Sequence, residues 1–225
     1  MKTKPIKDPG KTNILILANG HYGNVEWYRP RISGFTKIIC ADGGAGMACR
    51  LGIVPDLVVG DMDSIDSKDR EALKGSGAEF LIYPKEKDLS DIQIAFEHAL
   101  SLKATSVTLW GGTGSRLDHT FSTMLNAFHL VENNIDVCLD SPEVTIHPVR
   151  GTLKLSGKPD DTVSLIAIGD TATGVNLKGL YYPLNNATIQ STWQFGISNI
   201  MTGEKAVIKV KTGHVVVFHY HILTG

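Results

Sequence analysis

The stretch from Leu57 to Asp66 reads LVVGDMDSID, an apolar strand-like run and one glycine followed by three aspartates within six positions. If the chain stays extended past Gly60, residues two apart point the same way, so Asp61 and Asp63 project together from a strand end. Two carboxylates on one face repel unless a cation lies between them. Hard oxygen donors suit magnesium, which takes one or two carboxylates and completes its shell with water and phosphate. The plainer alternative is a helix cap, with Asp63, Ser64 or Asp66 capping a helix that starts near Ser67. A cap uses one of these residues and leaves the Asp61/Asp63 pair without a role.

Three further strand ends carry similar equipment. After Tyr83 comes PKEKDLSDIQIAF, in which Ser90 and Gln93 have capping-box spacing at the start of a helix. Asp91 then falls in the first turn, where the helix dipole favours an acid. If Asp88 and Asp91 also leave the carboxyl end of a strand, they face the same pocket as Asp61 and Asp63. After Trp110 comes GGTGSRLDHTFSTML. Gly111, Gly112 and Gly114 allow a ligand to approach the backbone closely. The helix behind them offers free N–H groups to an anion, and Arg116 is a fork of donors suited to phosphate. Asp118 there either caps the helix or pairs with Arg116. No Gly-Lys-Ser/Thr follows, so this is not a Walker A loop. After Ala41, Asp42 with Gly43 and Gly44 closes a strand and opens a helix, as a simple turn or as a nucleotide contact. Glycines, carboxylates and one arginine at four strand ends are the equipment for a magnesium-bound polyphosphate.

The elements that must position these residues alternate. Asn13–Ala18, Lys37–Ala41, Leu57–Gly60, Glu79–Tyr83, Ser106–Trp110 and Ile135–Leu139 are short, nearly continuous apolar runs, the pattern of strands buried on both faces. Between them, Ile92, Ala95, Phe96 and Ala99 mark one helix. Leu117, Phe121, Leu125, Phe128 and Val131 mark another. The expected first domain, residues 1–140, is therefore α/β, a mainly parallel sheet flanked by helices. Past Asp140 the rhythm changes. Glu143–Val149, Val163–Ile168, Ala206–Lys211 and Val215–Tyr220 read as strands, with turns at Gly169, Asn185, Thr202 and Thr212 and no helical pattern. Residues 141–225 are expected to form an all-β sandwich.

The bulk numbers fit this picture. The 225 residues are 42% hydrophobic, enough for a substantial core. With 22 basic and 23 acidic residues, the chain lacks the basic excess of a nucleic-acid binder. The three cysteines, Cys40, Cys49 and Cys138, are scattered in apolar surroundings and read as reduced, buried thiols. No export signal or membrane span is apparent, so the cytoplasm is the expected compartment. Trp27 and Tyr28 read as packing residues, and nothing in the sequence decides whether Arg29 and Arg31 approach phosphates. His219 and His221 alternate on a strand; with no third ligand near in sequence they read as a solvated face.

ADGG, PDLVVGDMDSID, KDLSD and GGTGSRLDHT, in this order and spacing across Ala41 to Thr120, resemble thiamine pyrophosphokinase in its bacterial form. GLYYPL, Gly196-Ile197-Ser198-Asn199 and GHVVVF resemble that family's second domain more loosely. The resemblance implies transfer of a pyrophosphoryl group from ATP to the hydroxyl of thiamine, with release of AMP. It implies an N-terminal domain for ATP and magnesium (Mg2+), a C-terminal β-sandwich, and a homodimer with thiamine sites shared between subunits. Carried over by position, Asp61, Asp63 and Asp91 hold the metal and Arg116 neutralises phosphates. Asp42, Gly43, Gly44, Gly111, Gly112, Gly114, Asp118 and His119 lie near the nucleotide, and Asp88, Ser90, Ser198 and Asn199 lie near thiamine. Asp91 or Asp88 could accept the hydroxyl proton. Two departures stand out. Ser90 replaces a frequent threonine and keeps the hydroxyl. Ile200 and Met201 follow Ser-Asn where the bacterial family often has an acid, which leaves Met201 or Trp193 as a soft or aromatic face for thiamine. The rival readings are an Asp-x-Asp nucleotide-sugar transferase and a nucleotide-binding module without turnover.

Overall fold

The computed structural model describes residues 10–222. The chain divides into two compact units after Asp140. The first holds six strands: β1 (Asn13–Leu17), β2 (Lys37–Ala41), β3 (Leu57–Gly60), β4 (Glu79–Ile82), β5 (Ser106–Trp110) and β6 (Asp136–Asp140). They form a parallel sheet in the order β4-β3-β2-β1-β5-β6. The apolar runs of the inner strands are continuous because both faces are covered, whereas β4, expected to be buried likewise, is an edge strand with Leu81 and Ile82 exposed. Leu15, Leu17, Cys40 and Val58 share one core with α1 (Gly44–Leu51) and α2 (Ser67–Gly75). The alternate residues Ile14, Ile16, Ile39 and Val59 are equally buried, and α3 (Asp91–Ser101) packs on β2 and β3 and α4 (Leu117–Glu132) on β6. Two short 3-10 segments, Val25–Trp27 and Arg29–Gly34, lie between β1 and β2. Tyr28 is fully buried there, edge-on to Tyr22 and Trp110.

The local signals explain where the helices begin. Asp66 caps α2, its carboxylate accepting from Lys68 N. Ser90 caps α3 in a complete capping box with Gln93. The order of strands matters more for function. From β1 the chain builds outward through β2, β3 and β4, then returns to place β5 against the other side of β1. That reversal is a topological switch point, and ligands of open α/β sheets sit outside the carboxyl ends of the strands at such a point.

The second unit is all β: β7 (Val144–Val149), β8 (Thr152–Ser156), β9 (Thr162–Lys178), β10 (Leu184–Ile189), β11 (Asn199–Ile200), β12 (Lys205–Lys209) and β13 (Thr212–Tyr220), with no helix among its described residues. Two antiparallel layers enclose a core that includes Val163, Leu165, Val175, Leu177, Ile208, Val215 and Val217. One layer pairs β7, β13, β11 and the first half of β9. The other pairs β8, β12, β10 and the second half of β9.

Four sequence expectations change here, one being that Thr212 opens β13 rather than forming a turn. The Gly169 turn is instead a corner within one 17-residue strand: β9 leaves one layer near Ile168 and joins the other by Ala172. Gly169, at φ 70°, supplies the bend, because a glycine suited to a turn also suits a strand that changes sheets. Asn185 lies within β10, where Asn186 at φ 51° marks a bulge rather than a turn. His219 is not solvated. It is 2% exposed, with Nε2 2.9 Å from Asp161 Oδ2.

Candidate active site

Five strand ends of the first unit, rather than four, surround one cavity of about 920 Å³. The fifth is the end of β1, Ala18-Asn19-Gly20-His21, which sits at the switch point beside the glycine loop after β5. The two loops are stitched together: Ala18 N donates to Trp110 O at 2.9 Å and His21 N to Thr113 O at 2.6 Å. Gly20 makes this possible, since a Cβ there would lie 2.2 Å from the carbonyl oxygens of Gly111 and Thr113. An Asn-Gly pair directly after a buried strand was the available signal for this loop.

On one side of the cavity are the carboxylates. Asp42, Asp61 and Asp63 bring oxygen atoms within 4.8 Å of one another. Asp61 and Asp63 converge, but not by strand alternation. Met62 turns into the left-handed region at φ 67°, and Asp63 N donates to Asp61 Oδ1 at 3.1 Å. Side-chain anchoring of a tight turn replaces the extended geometry because Met62 is buried in the core below. Asp42 joins them because Ala41 and Val59 are register partners in neighbouring strands, so the next residues emerge side by side. Gly60 keeps the gap narrow: at φ 141°, a Cβ on it would lie 2.9 Å from Asp42 Cβ and 3.2 Å from Asp91 Oδ1.

Asp91 also lines the cavity, but its nearest charge is Lys87, with Nζ 3.1 Å from Oδ1. Burial raises the Asp91 pKa, the charges of Asp42 and Asp61 push it further up, and Lys87 opposes them. Lys85 pairs with Asp63 at 2.7 Å, and this contact together with the Ser64 hydroxyl lowers the Asp63 pKa. Neither lysine was among the sequence candidates. The KEK run between β4 and α3, followed by Asp88, was the available clue. Asp42 Oδ1 is buried and finds no hydrogen-bond partner among the described residues. An orphaned anionic oxygen beside two more carboxylates is a strong electrostatic demand for a cation. The all-oxygen donor set fits magnesium.

The opposite side carries groups whose chemistry suits an anion. Gly111, Gly112, Gly114, Arg116 and His119 line the cavity. Arg116 stands at the N-cap of α4 without a side-chain cap, so the helix start presents N–H groups toward a ligand, apart from that of His119, which Asp118 engages. The Arg116 guanidinium is held in a two-point contact by Asp118, Nε to Oδ1 at 3.0 Å. Both side chains are mostly exposed. The arginine holds the Asp118 pKa down at about 2.

Other sequence candidates fall elsewhere. Gly43, Gly44, Asp88 and Asp118 do not line the cavity, although Ser90 does. Arg29 binds Glu26 and the carbonyls of Arg50 and Leu51, and Arg31 stacks 3.7 Å from the Trp27 ring, so neither is directed at phosphates. In the second unit, Ser198 is exposed. Asn199 is buried, and its amide joins two segments by accepting from Tyr182 N and Ile200 N and donating to Tyr182 O. Met201 is a core residue, whereas Trp193 is 76% exposed.

Comparison with known proteins agrees with this geometry. The sequence signature described as thiamin pyrophosphokinase, catalytic domain, matches residues 29–139, and that of the vitamin B1 binding domain matches residues 150–217. The chain belongs to the thiamin pyrophosphokinase family. Thiamine pyrophosphokinase from Bacillus subtilis is 25% identical over 190 residues, 82% of this chain and 89% of that protein. A rice relative, thiamine pyrophosphokinase 3, is 24% identical over 81% of this chain and 78% of its own length. The crystal structure of the Bacillus subtilis protein superposes with a TM-score of 0.85, at 23% identity over 94% of this chain and all of that chain. The Candida albicans thiamin pyrophosphokinase gives 0.77 at 19% identity, covering 94% of this chain and 90% of that chain. These structures share the fold, an α/β first unit and a strand-rich second.

Proposed function

We propose that this chain transfers the pyrophosphoryl group of ATP to the hydroxyl of thiamine, giving thiamine diphosphate and AMP, the reaction of its family. The observation that carries this reading is the cavity itself. Three converging carboxylates with an orphaned buried oxygen face a glycine loop, an uncapped helix start and an arginine. Asp42, Asp61 and Asp63 would hold magnesium, with Asp91 beside them. When bound, the metal neutralises phosphate charge and orients the reacting group. The glycine loop after β5 and the start of α4 would cradle phosphate oxygens, and Arg116 would take charge on the departing AMP side. Transfer of this kind needs positioning and charge neutralisation more than strong base catalysis. Asp91, whose pKa is raised by burial, is the carboxylate suited to take the hydroxyl proton.

The same reading includes a homodimer. The second unit exposes Tyr181, Tyr182, Trp193, Phe195, Ile197 and Ile200. They lie on two segments joined by the bond from Tyr181 N to Ile200 O at 2.8 Å. Exposed apolar surface of this kind marks an interaction site, suited to a second subunit and to the thiamine rings at its edge. A cytoplasmic enzyme that binds no nucleic acid is consistent with the near-balanced charge. No helix among the described residues is long and apolar enough to cross a membrane.

The test is incubation with ATP, magnesium and thiamine, followed by chromatography of the products. Thiamine diphosphate and AMP in equal amounts are expected. ADP with thiamine monophosphate would move the attack to the other phosphorus. ATP binding without any product would leave a nucleotide-binding module.

A further inference from the structure

The second unit contains a cluster that the phosphoryl-transfer chemistry does not use. His219 near the end of β13 and His221 just past it bring their rings together, with centroids 4.5 Å apart. Asp161, just before β9, reaches the same point, with Oδ2 2.9 Å from His219 Nε2. One donor atom from each of the three residues lies within 4.8 Å of the other two. Asp161 and His219 are each 2% exposed, so a carboxylate and an imidazole are already desolvated and fixed in place.

Two further features fix the cluster in place. Gly157 faces the pair: a Cβ on it would lie 2.6 Å from Asp161 Oδ2 and 2.7 Å from His219 Nε2. The missing side chain lets the backbone at Gly157 approach both donor atoms closely, which a Cβ would prevent. Thr145 Oγ1, on β7, lies 2.8 Å from His221 Nε2, the kind of second partner that fixes the orientation of a ligating imidazole. Backbone bonds hold the carboxylate rigid, with Lys158 N on Oδ2 at 2.9 Å and Ile222 N on Oδ1 at 3.0 Å.

The geometry points to a second metal site, at Asp161, His219 and His221, for a divalent transition cation of the zinc, cobalt or nickel class. Two imidazoles and one carboxylate select such ions over magnesium, which prefers all-oxygen shells. The site is structural. It ties the segment before β9 to the end of β13, both in the second unit and on elements that supply nothing to the aspartate cluster.

The test uses tag-free, full-length protein stripped with chelator and kept in excess magnesium to fill the aspartate cluster. Cobalt(II) is added, and its visible ligand-field absorption is followed. A band saturating at one equivalent and bleached by zinc is expected. In His221→Asn, which alters the half-buried ligand, cobalt affinity should fall about tenfold or more, with thiamine diphosphate formation unchanged. Imidazole nitrogen NMR of the unmutated protein gives a reading that does not depend on a variant folding: zinc should shift His219 and His221 and leave His98 and His129 in place. No stoichiometric band, a band unaltered in His221→Asn, or shifts confined to the other histidines would overturn the proposal.

Discussion

At the scale of single residues, the aspartates differ in what surrounds them. Asp63 is an exposed carboxylate held ionised by Lys85 and the Ser64 hydroxyl, while Asp42 is buried with an unsatisfied oxygen. Asp63→Asn should lose most turnover while keeping its circular dichroism and melting temperature, because the side chain is at the surface and the change is isosteric. Turnover close to that of the unmutated protein at saturating magnesium would remove Asp63 from the metal site. The Arg116–Asp118 pair makes a second case. The arginine stabilises the charged form of the acid, so removing it must raise the acid's pKa. In Arg116→Ala, the Asp118 carboxyl should titrate clearly above its present value of about 2, as read by carboxyl NMR. An unmoved titration would show that Asp118 is held down by other neighbours.

At the scale of elements, the site depends on how strands end and helices begin. Gly60 carries a φ of 141°, a region that side chains rarely enter, and a Cβ would press on Asp42 and Asp91. Gly60→Ala should cost about 2 kcal/mol of stability and raise the magnesium concentration needed for half-maximal activity. Denaturant melts and a magnesium titration check both parts. Ser90 has a plainer role. Its hydroxyl accepts from Gln93 N, and the Gln93 side chain returns the bond. Ser90→Ala should therefore cost about 1 kcal/mol. A larger loss of activity than this destabilisation explains would give Ser90 a place in substrate binding, since it also lines the cavity.

At the scale of the whole molecule, the two units divide the work. The α/β unit collects charge at a switch point, and the sandwich exposes an aromatic surface. If that surface joins two copies, sedimentation should give a dimer mass at micromolar concentrations, and Trp193→Asp should shift the population toward monomer. A monomer mass for the unmutated protein across the accessible range would leave the aromatic surface to thiamine alone.

Much of this was legible from the chain. Strands buried on both faces must be apolar throughout, so β1, β2, β3 and β5 announce themselves, while β4 keeps its apolar run at an exposed edge. The Ser90–Gln93 box and the Asp66 cap follow from hydrogen-bonding groups a few residues apart. The glycines and acids at strand ends pointed to one cavity because parallel strands end on the same edge. Local signals end there. Asp42 meets Asp61 and Asp63 only through the β2–β3 register, and Lys85 reaches Asp63 across 22 positions. The bend of β9 and the pairing of His219 with Asp161, 58 positions apart, likewise depend on which strands become neighbours. Sequence determines propensity, burial and the chemistry available at each strand end. Tertiary packing alone decides which distant side chains converge, because register and layer assignment are set by the whole core rather than by any one segment.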